Sequence, residues 1–165
     1  MPSDKPKVLI AEDNPGLARV LTFKFESCGF DPITCPNGEE AWKSFCDSQV
    51  AAIVSDYEMP ILSGIELIQR VREIDAKLPC FLVTGRQLEL ARDPRVIELA
   101  IHTVFGKPFS PGTLVSAVAD AIRESNAIIE HESESARPNL AIMSMPTTEL
   151  PSAGVPFSGL TGTDV

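Results

Sequence analysis

The stretch Ala51-Ala52-Ile53-Val54-Ser55-Asp56-Tyr57-Glu58-Met59-Pro60 decides the reading of the chain. Four apolar residues, β-branched at the centre and polar only from Ser55 onward, predict a strand covered on both faces, and strands of that kind are usually parallel. In an open parallel sheet the functional crevice lies outside the carboxyl ends of the strands. Asp56 therefore stands where a ligand is expected. Alone it would be read as a turn former or helix cap.

Working outward, three more strand-like runs end in polar residues. Val8-Leu9-Ile10-Ala11 leads into Glu12-Asp13, Cys80-Phe81-Leu82-Val83 into Thr84-Gly85, and Ile101-His102-Thr103-Val104-Phe105-Gly106 into Lys107-Pro108. If the strands lie side by side, three acids, a hydroxyl and an ammonium converge at one edge, a set suited to a divalent cation and a phosphoryl group.

In these residues the chain resembles the receiver domain of two-component response regulators, over roughly residues 5 to 126. The resemblance rests on Glu12-Asp13, on Asp56 followed by Met59-Pro60 and Gly64, on Thr84 followed by Gly85, and on Lys107-Pro108-Phe109. It implies a flavodoxin-like fold with strand order 2-1-3-4-5 and a phosphoacceptor role for Asp56. It implies Mg²⁺ held by Asp13 and Asp56 directly, by Glu12 through water, and by the backbone carbonyl of Glu58. Lys107 and Thr84 would contact the phosphoryl oxygens, and the peptide before Pro108 is expected to be cis. The donor would be a histidine kinase or phosphotransfer protein, and the output an unidentified downstream protein, with a phosphorylation-linked dimer as a further option. The chain would be no enzyme beyond its own phosphoryl transfer and slow dephosphorylation.

The sequence departs from the family in one place. A Tyr or Phe is usual three residues before the Lys, and Val104 stands there, with Phe105 on the opposite strand face. An aromatic rotamer switch is thereby put in question, and the segment 86–100 is the alternative carrier of output. Positions two residues beyond Asp56 and Thr84 flank the path of attacking water. They are Glu58 and Arg86, whose opposite charges predict a pair that slows hydrolysis.

Helix starts are legible from capping chemistry. Asn14-Pro15 and Ser110-Pro111 place an N-cap before Pro, and Asn37 with Glu40 and Ser63 with Glu66 have capping-box spacing. Ala18, Leu21, Phe25 and Cys28 mark one helical face, with Gly29 as its stop, and Asp31–Thr34 predicts a short strand. The segment from Arg86 is irregular, with a fresh start at Asp93-Pro94 and a short helix expected over 94–100. Strand and helix alternate five times, which predicts a doubly wound α/β domain.

Composition narrows the classes. The chain has 165 residues and a formal charge of −9, without a basic stripe, against sequence-independent nucleic-acid binding. No apolar run is long enough for a bilayer and none resembles a signal peptide, so a cytoplasmic location is expected. Cysteines 28, 35, 46 and 80 lack metal-site spacing and read as buried reduced thiols. Trp42 and His102 read as packing residues. The domain is placed at 1–126, and 127–165, with four prolines and no sustained period, as a disordered or partner-docking tail. Its apolar patches 140–145 and 154–160 are candidate docking motifs.

Two other functions share parts of this pattern. A receiver-fold adaptor acting through its surface and tail without phosphorylation would not need the full acidic and basic set. A Mg²⁺-dependent phosphohydrolase would carry Asp-x-Asp, where this chain has Asp56-Tyr57-Glu58.

Overall fold

The computed structural model describes residues 4–136. Five parallel strands form one sheet in the order β2-β1-β3-β4-β5. They are β1 (Lys7–Ala11), β2 (Asp31–Cys35), β3 (Ala52–Asp56), β4 (Cys80–Thr84) and β5 (Thr103–Gly106). Between and after them run α1 (Pro15–Ser27), α2 (Gly38–Asp47), α3 (Gly64–Ile74), α4 (Gln87–Leu90), α5 (Pro94–Glu98) and α6 (Pro111–Ser135).

The two-residue period of each strand sends alternate side chains to opposite layers. Val8, Ile10, Val54, Phe81 and Val83 pack with Leu21 and Phe25 of α1 and Leu114 and Val118 of α6. Leu9, Ile53 and Leu82 pack with Ala41 of α2 and Ile65, Ile68 and Val71 of α3 on the other side. β3 and β4 are buried at every position, as their apolar runs predict. Each fully buried Leu, Ile or Phe contributes about 1.5–3 kcal/mol, so the two layers hold the strand ends, and hence the site, in register.

The caps form as expected. Asn14 Oδ1 accepts from the Gly16 and Leu17 amides, and Asn37 Oδ1 accepts from Glu40 N at 2.8 Å. Ser63 and Glu66 complete a reciprocal capping box, and Ser110 caps α6. The segment after β4 splits into two short helices. Asp93 caps the second through Arg95 N, and Ala100 terminates it at φ 47°. Arg72 then ties this turn to α3 and β4. Its guanidinium donates to the carbonyls of Leu99 (2.7 Å), Ala100 (3.2 Å), Asp75 (3.1 Å) and Leu78 (2.8 Å).

Three expectations need correction. The last helix does not stop near residue 126 but runs to Ser135, so residues 127–135 are helical rather than a tail. Good helix formers continue there without a breaker, and Glu132 pairs with Lys77 at 2.8 Å. The patches 140–145 and 154–160 lie outside the described residues. Second, only Cys35 and Cys80 are buried; Cys28 and Cys46 are free but exposed. Cys28 is the C-cap of α1 and has left its apolar stripe, and Cys46 faces out from α2. Third, Ile101 and His102 precede β5 instead of opening it, though His102 N still donates to Cys80 O at 2.8 Å. Its ring rests on Phe81, 5.0 Å between centroids. Trp42 packs as expected, stacked on Phe45 at 5.7 Å.

Candidate phosphoacceptor site

Asp56 and Thr84 are the last residues of β3 and β4, Glu12 and Asp13 follow β1, and Lys107 follows β5. Parallel pairing brings these ends to one edge: Ala11 lies opposite Ser55, Asp56 opposite Val83, and Thr84 opposite Gly106. Strand ladders separated by many residues of sequence thus assemble a site that no local segment contains.

Lys107 Nζ lies 3.1 Å from Asp56 Oδ2 and 3.4 Å from Glu12 Oε2. Glu12 and Asp56 are nearly sealed from solvent, at 3% and 6% exposure, while Asp13 is exposed. Glu12 Oε1 accepts from the Asn14 amide at 2.9 Å, and Asp56 Oδ1 accepts from the Glu58 amide at 3.4 Å. Burial, outweighing the Lys107 hydrogen bond, holds the Asp56 carboxyl above its ordinary range. Burial likewise raises Glu12 against its bond from Asn14. Burial opposes the charge of Lys107, but its hydrogen bond and charge interaction with Asp56, and then Glu12, raise it on balance.

Two buried carboxylates thus share one ammonium, with a third acid beside them. One carboxylate oxygen from each of Glu12, Asp13 and Asp56 can lie within 4.8 Å of the others. An all-oxygen donor set with excess negative charge fits a hard divalent cation such as Mg²⁺.

Not every expected residue meets the others. Thr84 is fully buried, and its hydroxyl oxygen accepts from Arg86 N at 2.9 Å rather than touching Asp56 or Lys107. It borders the site at its β4 wall. A Cβ on Gly85 would meet no atom within 4 Å, so the protein leaves open space there. On Gly64 a Cβ would lie 2.2 Å from the Asp56 carbonyl oxygen, which explains the glycine: α3 starts hard against the acceptor strand. The Lys107–Pro108 peptide is cis, as expected. The Glu58 carboxylate turns away from the acids and pairs with Arg86, Oε1 to Nε 3.0 Å, as the charges predict. Its backbone carbonyl stays two residues from the acceptor.

The family model for the response regulator receiver domain matches residues 8–119, the span that carries Glu12, Asp13, Asp56, Thr84 and Lys107. The chain belongs to this family. The receiver is 30% identical over 119 residues to the alkaline phosphatase synthesis transcriptional regulatory protein PhoP of Bacillus subtilis, covering 72% of this chain and 49% of that one. The chain thus spans about half the length of the curated relatives it matches. A receiver domain of a Francisella response regulator superposes with TM-score 0.68 at 26% identity, over 73% of this chain and 99% of that one. The response regulator TrrA of Thermotoga maritima, solved in complex with Mg²⁺–BeF, superposes with TM-score 0.64 at 25% identity, over 70% of this chain and 98% of its own.

Two features of this receiver were not foreseen. Ile61, in the loop after Asp56, sits at φ 73° with 79% of its surface exposed. Gln87 lies across Gly106 and donates through Nε2 to Val104 O at 3.1 Å, tying α4 to β5. Positive φ at a β-branched residue has no sequence signal, since the pattern favours Gly or Asn there. The Gln87 contact joins residues from different elements. Val104 and Phe105 do face opposite layers, as the alternation predicts.

Proposed function

We propose that the receiver accepts a phosphoryl group on Asp56 from a phosphohistidine of a histidine kinase or phosphotransfer protein, with Mg²⁺ bound, and signals by phosphorylation-dependent contact with a downstream protein. The observation that carries this is the Lys107 ammonium 3.1 Å from a buried Asp56 carboxylate flanked by Glu12 and Asp13. An Asp56 oxygen attacks phosphorus, the phosphorus–nitrogen bond breaks, and the histidine nitrogen leaves with its electron pair and takes up a proton. Lys107 orients the acceptor and then offsets charge on a phosphoryl oxygen. The Thr84 hydroxyl, which in the structure accepts from Arg86 N, donates to another in this reading. Mg²⁺ would be held by Asp13 and Asp56 directly, by Glu12 through water and by the Glu58 backbone carbonyl, and when bound would supply charge compensation for the carboxylates and the phosphoryl group.

The phosphoryl group adds roughly −1.5 to −2 charge and three acceptor oxygens beside the Thr84–Arg86 turn. The α4 and α5 segment follows directly and presents Leu88 and Ile97, 85% and 83% exposed, as the apolar part of an output surface. Catalysis is confined to the chain's own phosphoryl transfer and slow dephosphorylation, in the cytoplasm; among the described residues no helix is long and apolar enough to cross a membrane.

Incubation with Mg²⁺ and acetyl phosphate, followed by intact mass, tests the acceptor. Wild type should gain one phosphoryl group and Asp56→Ala none; no gain in a folded protein that binds Mg²⁺ would shift weight to the phosphorylation-independent adaptor. The Glu58–Arg86 pair across the mouth supports a comparatively long-lived phosphoryl group. Loss of label should quicken in Arg86→Ala, and an unchanged rate would remove the pair from the account.

A further inference from the structure

Val104 stands where an aromatic residue is usual, and it is the Val104 backbone, rather than its side chain, that meets α4. Gln87, the first residue of α4, donates through Nε2 to the Val104 carbonyl at 3.1 Å. Its amide occupies the space over Gly106, where a Cβ would lie 2.9 Å from Gln87 Cδ. A side chain at 106 would have to displace that amide. Gly106 pairs with Thr84 in the β4–β5 ladder and directly precedes Lys107, so Gln87 reaches β5 beside the wall of the acceptor site.

The start of α4 is lightly held. Arg86, its N-cap, spends its side chain on Glu58 at 3.0 Å and gives the helix no capping side chain. Leu90 is the buried residue of its single turn. Two hydrogen bonds one residue apart anchor the entry instead: Arg86 N to the Thr84 hydroxyl oxygen at 2.9 Å, and Gln87 Nε2 to Val104 O. A cleft of about 470 Å³ lies between residues 85–89 and 106–108, which gives this turn room to shift.

The two anchors are coupled through the chain. When the Thr84 hydroxyl turns to a phosphoryl oxygen, the Arg86 amide must follow it or lose its acceptor, and Gln87 is the next residue along. We infer that Gln87 is a positioning residue whose amide latches α4 to β5 in the unphosphorylated protein, and that opening this latch transmits phosphorylation from Thr84 to the α4 surface in place of a turning ring. The inference rests on the acceptor reading of Asp56. An interaction made only in the unphosphorylated form opposes phosphorylation, so its removal favours the phosphorylated arrangement.

The test is binding of beryllium fluoride with Mg²⁺, a mimic of the phosphoryl group on a carboxylate, followed by NMR of the isotope-labelled full chain. Gln87→Met keeps the length and neutrality of the side chain and removes the donor. It should bind the mimic about 2–5-fold more tightly than wild type, the effect of one exposed hydrogen bond. Mg²⁺ alone should bind both proteins equally. Without the mimic, resonances of residues 85–88 and 104–105 in the variant should be displaced toward their positions in mimic-bound wild type. Gly106→Ala evicts the same amide and should act in the same direction, and the double variant should gain nothing over either single one.

Equal affinity for the mimic in Gln87→Met and wild type, additive effects in the double variant, or a gain already present with Mg²⁺ alone would overturn the inference and leave the acceptor reading standing. Wild type that binds Mg²⁺ but not the mimic would overturn the acceptor reading, and the latch with it.

Discussion

Lys107 serves two buried carboxylates with one ammonium, and that imbalance governs the site before any ligand arrives. Because burial raises the Asp56 and Glu12 carboxyls, the folded chain binds protons more readily than the unfolded chain in the mildly acidic range. Their contribution to stability therefore falls as pH rises through that range and recovers on acidification. Lys107 has the opposite history: its raised value adds stability throughout neutral pH that disappears only in alkali. In metal-free protein Asp56→Asn should raise unfolding stability by about 1 kcal/mol and flatten the acid-side pH dependence in thermal melts. Ile61 offers an independent gain. Its φ of 73° strains a β-branched residue whose side chain is mostly in solvent. Ile61→Gly should stabilise by about 1 kcal/mol in urea unfolding, strain relief exceeding the added chain entropy. Residue identities at the site were legible because each closes an apolar run. The Ile61 strain and the Thr84 hydroxyl facing Arg86 N were not, because a backbone angle and a side-chain rotamer leave no trace in residue spacing.

Among the elements, the weakest by length are α4 and α5, and Arg72 compensates from α3. Four carbonyls from Asp75, Leu78, Leu99 and Ala100 converge on one guanidinium. Arg72→Met should cost about 2–4 kcal/mol in denaturant unfolding, since it strands several partly buried carbonyls at once. Arg72→Lys should recover little of this, because an ammonium lacks the planar fork. The Asp93-Pro94 start announced α5 and its break from α4, but nothing in the sequence announced Arg72, whose partners lie up to 28 positions away. The α6 boundary failed for a related reason. Composition past residue 126 turns polar and hides a helix held by helix formers and by the Lys77–Glu132 pair across 55 positions.

For the whole molecule, strand order and layering follow from alternation between apolar runs and capped helices, and the doubly wound class was legible from that rhythm. The 2-1-3-4-5 order came from family resemblance, since pairing partners are not encoded in any one segment. Burial predicts a gradient of local stability. Amide exchange should be slowest in β1, β3 and β4, whose residues are almost wholly buried, and fastest in 86–100 among the described elements. Added Mg²⁺ should raise the melting temperature in proportion to the logarithm of its concentration, and Asp13→Asn should remove most of that rise. Last, α6 is a lever. Its 25 residues span about 37 Å, and the part beyond Ile122 is roughly 20 Å of that. A tilt of about 10° at Ile122, where the helix leaves the core, would swing Ser135 through roughly 3–4 Å over that outer arm, enough to make or break a side-chain contact. Small repacking against α1 is thereby converted into displacement far from the acceptor.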